Sequence, residues 1–252
     1  MEALPGRTLR GEILLLLGVS LGANAVFALL DLVRSLTAAK PLNQQTQTMI
    51  QSAAPGRPWL DLAFQLAAIG FGLVPALLAL HLLRRDHHEP AALLGLVPPR
   101  PAFDLATGAG LAALIGIPGL GLYLVARSAG MNVTLVPEAL PHVWWTVPVL
   151  VLTAVQNAVL EEVVVVGYLV TRLRQLGWGA PAVVLASALL RGSYHLYQGF
   201  GGFLGNAAMG VIFAGFYLLW KRVGPLVLAH TILDVVAFVG YALFARQLGF
   251  LH

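Results

Sequence analysis

The sequence predicts an all-α, polytopic bundle of transmembrane helices, and two observations carry that reading. Of 252 residues, 58% are hydrophobic and only 10% are charged, whereas soluble domains carry about 25% charged residues. Mean hydropathy is +0.82. Apolar stretches that match the roughly 20 residues a helix needs to cross a bilayer recur along the whole chain. Seven spans are expected, at residues 11–36, 59–83, 104–126, 143–171, 179–198, 203–220 and 225–244, with a shorter or re-entrant eighth around 133–148 as the alternative. The catalytic core is expected in spans four to seven.

The first span has features of a secretion signal: Arg7 and Arg10, an apolar run, then "ANA" at residues 23–25. The run continues through "VFALLDLV" as a full span should, so an uncleaved helix is expected. The segment "TAAKPLNQQTQTMIQSAAPGRP" (37–58) reads as a mobile polar loop. "RRDHHEP" (84–90) reads as a solvated turn, with a metal role for His87 and His88 as its rival. "PAALLGLVPPRP" (90–101) reads as a short interfacial segment stopped by proline. Asn132-Val-Thr134 matches a glycosylation sequon. Trp144 and Trp145 mark an interfacial belt at the start of span four. Span six is glycine-rich, and Gly201 with Gly205 forms a G-x-x-x-G pair that lets backbones approach closely. Residues 1–142 form an N-terminal unit of three spans with its polar loop, and 143–252 form the core.

Charge placement sets the orientation. With the N-terminus inside, nine of the 15 Lys and Arg fall on inner segments: Arg7, Arg10, Arg84, Arg85, Arg100, Arg172, Arg174, Lys221 and Arg222. The chain is therefore expected as a multi-pass protein of the cell membrane with a cytoplasmic N-terminus. Its net charge of +4 is explained by topology and anionic lipid, so no nucleic-acid partner is expected. Zero cysteines exclude disulfides, thiol catalysis and thiolate metal sites.

Ionisable groups inside spans cost about 2.5–3.5 kcal/mol each and mark functional sites by default. Here they are expected in the second half: Glu161 and Glu162, Arg191 and His195, His230 and Asp234, with Asn157 and Asn206 as uncharged companions. At about 100° per residue, Asn157, Glu161, Val165 and Tyr168 share one helix face, while Glu162 turns aside with Val166. Arg191 with His195, and His230 with Asp234, are each four apart and co-facial. With ~1.5 Å of rise per residue, Glu161 lies roughly 16 Å and Asp234 roughly 15 Å from the inner ends of their spans. The levels bracket one mid-membrane site.

Such a set suits several chemistries. A carboxylate paired with a histidine can take a proton from water that attacks an amide carbonyl, while a second histidine stabilises the oxyanion. Glu161, His195 and His230 could instead hold a divalent metal such as zinc. Glu, His and Asp also build proton relays for coupled transport, and a purely structural polar network is the fourth reading.

"EEVVVVGYL" (161–169), "RGSYH" (191–195) and "HTILD" (230–234) resemble, in order, the three motifs of the CPBP family, the CAAX-protease and bacteriocin-processing or Abi group, which read E-E-x-x-x-R, F-x-x-x-H and H-x-x-x-N/D. The resemblance covers about residues 143–244. It implies an intramembrane endopeptidase, with Glu161 activating water, His195 as its partner, His230 at the oxyanion and Asp234 in the last motif position, without a metal cofactor. It also implies a peptide or protein substrate at the membrane. Eukaryotic and archaeal members trim prenylated CAAX proteins, and bacterial relatives are linked to peptide maturation and bacteriocin immunity. A non-catalytic immunity or assembly factor with a membrane-protein partner, and a proton-coupled transporter, are the rival functions. The sequence departs from the family twice: the motif-one Arg is Val166, and the motif-two Phe is Arg191. Glu162 thereby loses its local cation, and Arg191 is expected to reach across from span five to replace it.

Overall fold

The computed structural model describes residues 4–97 and 100–244. The chain is helical throughout its apolar stretches. Helices α1 (Gly6–Gly18) and α2 (Leu21–Leu36) form one bent pair with a 50° break. At the break Ser20 Oγ donates to the Leu16 carbonyl at 2.6 Å, the back-bonding that bends helices. Helices α3 (Pro58–Gly72) and α4 (Val74–Leu83) make the next span, interrupted where Pro75 supplies no N–H. A single turn, α5 (Pro90–Leu93), precedes the long α6 (Pro101–Ser128). Helix α7 (Thr146–Glu161) runs through a π-helical segment, Glu162–Tyr168, into α8 (Leu169–Gln175). Then come α9 (Ala180–Ser193), α10 (Phe200–Trp220) and α11 (Gly224–Phe244).

Among the described residues five helical spans are long and apolar enough to cross a membrane, and the bent α1–α2 pair makes six. The protein is a polytopic membrane bundle, as the sequence suggests. The fifth expected span shrinks to the 14 residues of α9, because a turn at Leu196–Gln198 ends it early.

The segment expected as a re-entrant eighth span is strand β2 (Thr134–Ala139). It pairs in parallel with β1 (Thr46–Gln51), Thr46 opposite Thr134. The loop expected to be mobile is therefore partly ordered as an edge of sheet, its Gln- and Thr-rich run supplying β-compatible side chains. Asn132, in the same stretch, is 1% exposed. Its Oδ1 accepts from Gly201 N–H at 2.8 Å, satisfying an open donor at the start of α10, so the sequon asparagine is a buried structural cap.

The α7–π–α8 rod is the axis of the bundle: 56% of its apolar window is buried, against 11% for α6. Val163, Val164, Val165 and Val166 are all within the central core. Four consecutive β-branched residues are poor helix formers, and the rod relaxes into wider i→i+5 turns there. Hydroxyls on either side engage its carbonyls: Ser187 Oγ donates to Val165 O at 3.2 Å and Thr171 Oγ1 to Gly167 O at 2.6 Å. Packing across the site is close because side chains are missing. A Cβ on Gly210 would stand 2.7 Å from Ala188 Cα, and one on Gly201 2.4 Å from Ala126 Cβ.

Buried charge also ties the arginine-rich end together. Arg172, fully buried, donates to Asp86 at 2.7 and 2.8 Å, to Glu12 at 3.2 Å and to the Leu82 carbonyl at 2.7 Å. Glu12 also pairs with Arg85. Arg222 holds Asp104 through two hydrogen bonds of 2.7 and 2.9 Å. "RRDHHEP" is thus more than a solvated turn: Asp86 is a clamp for Arg172. Nor are the buried carboxylates confined to the second half of the chain, since Glu12, Asp61 and Asp104 are buried in the first.

Candidate active site

The site begins at Glu161 and Glu162, where α7 gives way to the π-helical segment. Glu162 is fully buried and held from two helices. Arg191, near the end of α9, brings Nη2 to Glu162 Oε1 at 2.5 Å, and His230 of α11 places Nδ1 2.7 Å from the same oxygen. A carboxylate oxygen only accepts, so His230 Nδ1 carries the proton. Arg191 is also fully buried, lies over the Phe213 ring at 5.3 Å, and brings Nη1 within 3.6 Å of Glu161 Oε2. The cation missing at Val166 thus comes from Arg191, the cross-helix contact that the sequence predicts.

Glu161 differs from its neighbour. It keeps 9% of its surface and accepts from Tyr194 Oη at 2.8 Å through Oε2. His195 and His230 are both near enough to act on it electrostatically. The Tyr194 ring packs tilted against His195, with centroids 4.8 Å apart. His195 Nδ1 lies 3.0 Å from the Arg191 carbonyl. The carbonyl accepts, so Nδ1 holds the hydrogen and Nε2 is left as the basic nitrogen.

A cavity of about 520 Å³ lies beside these groups, between α6, α10 and α11. His195, His230, Asp234 and Asn206 belong to its wall; neither glutamate does. The imidazoles face the cavity and the carboxylates stand one layer behind them. Asp234 is linked to Asn157, whose Nδ2 is 3.4 Å away, and lies 3.7 Å from His230 Nε2. Asn206 donates to the Gly202 carbonyl at 3.0 Å.

Residues 143–236 match the family model described as Type II CAAX prenyl endopeptidase Rce1-like. Over this segment the chain is similar to that Rce1-like family. No curated protein and no solved structure matches the chain. The matched Rce1-like segment holds Glu161, Glu162, Arg191, His195, His230 and Asp234 together.

Two sequence expectations about the core change in detail. Tyr168 does not share the face of Glu161. It is buried beneath Arg172, whose guanidinium carbon is 5.4 Å from the ring centroid. Each π turn takes up about one more residue than an α turn, so a 100° count carried past Glu162 assigns the wrong face. The metal set is also different. The described residues whose donor atoms converge are Glu161, Glu162 and His230, all within 4.8 Å of one another, and not Glu161, His195 and His230. In that trio Glu162 Oε1 already receives Arg191 and a protonated His230 Nδ1, a poor setting for a dication.

Sequence reasoning missed Tyr194 and Asn132. Tyr194 stands immediately before His195 in "RGSYH", and its hydroxyl is a buried polar group that has to find a partner. Asn132 carried only the sequon signal.

Proposed function

We propose that the protein is an intramembrane endopeptidase that hydrolyses a peptide bond with water activated by Glu161 and His195. The observation that carries this reading is the division of labour between the two glutamates. Arg191 and His230 hold Glu162 rigidly, which orients His230. Glu161 is the less buried one, oriented by Tyr194, whose ring packs against the basic His195. Proton transfer to a positioned base contributes about 10²–10⁴-fold. His230, doubly protonated with its Nδ1–H on Glu162, keeps Nε2–H for the substrate, and with the Asn206 amide on the same cavity wall it stabilises charge developing on the carbonyl oxygen. Protonation of His230 Nδ1 and the Arg191 cation at Glu162 support a metal-free mechanism. The Rce1-like match to residues 143–236 supports a membrane-associated peptide or protein substrate.

The test is cleavage by the purified protein in proteoliposomes, followed by the appearance of new peptide termini. Glu161→Gln, nearly isosteric, should lose about 10²–10⁴-fold in rate while its thermal unfolding stays close to that of the parent. Unchanged cleavage by Glu161→Gln would assign the chemistry elsewhere. A transporter or a non-catalytic partner would release no new termini at all.

A further inference from the structure

We propose that Arg174 and Lys221, at the ends of α8 and α10, form a binding site for the phosphate of an anionic phospholipid. The site lies at the arginine-rich end of the bundle, apart from the catalytic groups, and does not rest on the peptidase reading.

A threonine and a tyrosine bring the two cations together. Thr171 Oγ1 gives its hydrogen to the Gly167 carbonyl, so Tyr217 Oη is the donor in its 3.1 Å contact with Thr171. From that contact both helices run on toward the arginine-rich end. Arg174 is three residues past Thr171 and Lys221 four past Tyr217, each one turn on and on the same face. Lys221 Nζ lies over the Tyr217 ring, 5.5 Å from its centroid. Arg174 donates through Nη1 to the Trp178 carbonyl at 2.7 Å, which uses one of its several donors. Burial and the charge of Arg174 hold the Lys221 ammonium below the ordinary lysine range.

Two observations point to a ligand here. The first is backbone strain. Among the described residues Lys221 is the one non-glycine with a positive φ, 54°. It caps α10 by donating its N–H to the Tyr217 carbonyl at 2.8 Å, in the left-handed conformation that glycine adopts without steric cost. A lysine there carries strain that glycine would remove, which points to a use for its side chain. The second is charge. Arg172 and Arg222, close by in sequence, are answered by Asp86, Glu12 and Asp104. Among the described residues neither Arg174 nor Lys221 has a carboxylate partner. Like charges held near each other repel, and an anion between them offsets the repulsion. The exposed Trp178 and Trp220 flank the pair, and such aromatics mark the headgroup level of a bilayer. Trp220 is fixed there by Phe103 and Phe216, with ring centroids 5.4 and 6.1 Å away. The anion at that depth is a lipid phosphate, and a headgroup without a cation of its own keeps the charge that two cations attract.

The test uses the full-length protein in neutral detergent, with bound lipid counted by native mass spectrometry during titration with phosphatidylglycerol, phosphatidylcholine or inorganic phosphate. Phosphatidylglycerol should bind the parent. It should bind Arg174→Gln or Lys221→Gly about fivefold less tightly, and the double variant about 25-fold less tightly. Arg84→Gln removes an exposed cation of the same end and should bind as the parent does. Without lipid, Lys221→Gly should unfold at or above the parent's temperature, because glycine takes that φ without strain, so its lost affinity is not lost folding. An unchanged affinity in the double variant, or an equal loss in Arg84→Gln, overturns the site. Phosphatidylcholine bound as tightly as phosphatidylglycerol overturns the preference for an anionic headgroup. Inorganic phosphate that displaces phosphatidylglycerol at equal concentration overturns the lipid assignment in favour of a free phosphate.

Discussion

Replacing Arg191 with methionine should destabilise the bundle by about 3–5 kcal/mol, the usual cost of stranding one member of a buried ion pair. Arg191 contacts two carboxylates, Glu162 at 2.5 Å and Glu161 at 3.6 Å, from a fully buried position. Charges about 4 Å apart attract by about 4 kcal/mol at an effective dielectric near 20. Part of that attraction offsets the desolvation of the guanidinium, which methionine does not incur, and His230 still donates to Glu162. The net loss therefore falls well below the sum of two contacts. A second substitution, Glu162→Gln, keeps an acceptor for His230 and removes one stranded charge, so the double variant should regain at least half of the loss. Unfolding in mixed micelles with increasing SDS, followed by the fluorescence of the five tryptophans, gives all four corners of the cycle. A loss below about 1 kcal/mol for Arg191→Met, or a double variant as unstable as the two single losses combined, would refute the assignment of Arg191 as the shared counter-charge.

Tyr194→Phe removes a hydrogen bond to a charged group, and should lower kcat/KM by about ten- to a hundredfold with little change in unfolding; an unchanged rate would show that Tyr194 does not orient Glu161. A strong chelator should leave cleavage unaffected, while loss of activity restored by added zinc would establish a metal on the Glu161, Glu162 and His230 trio. Arg172→Met should cost about 3–5 kcal/mol in the SDS titration by stranding Glu12 and Asp86, and a near-neutral result would mean that the clamp adds nothing to the fold.

Much of the core was legible because charge in an apolar span has to be answered. Six ionisable residues in three short motifs were enough to bring α7, α9 and α11 together, and the valine at 166 was enough to send Arg191 toward Glu162. The illegible parts have physical reasons. The parallel pair of β1 and β2 joins segments almost ninety positions apart, too far for any local pattern to register. The Arg172 clamp likewise unites residues 12, 86 and 172, each of which reads alone as an ordinary surface charge near a helix end. Tyr168 was misplaced because helical periodicity was extended through a stretch that does not keep it. The fifth span was overdrawn because hydropathy does not see the turn at Leu196–Gln198.

The valine run has one more consequence, for the phase of the central rod. The two glutamates lie upstream of the wide turns and Arg172 lies downstream, and each end is locked to different helices. Replacing the four valines at residues 163–166 with alanine would keep the chain length and touch no polar group, and would favour ordinary α turns there. The downstream half would then be rotated by about 100° relative to the upstream half. Glu162 could still meet Arg191, or Arg172 could still meet Asp86, but the two could no longer be met at once. The four valines act as a mechanical spacer, setting by one residue whether the chemistry in the middle of the membrane and the anchor at its edge fit the same bundle.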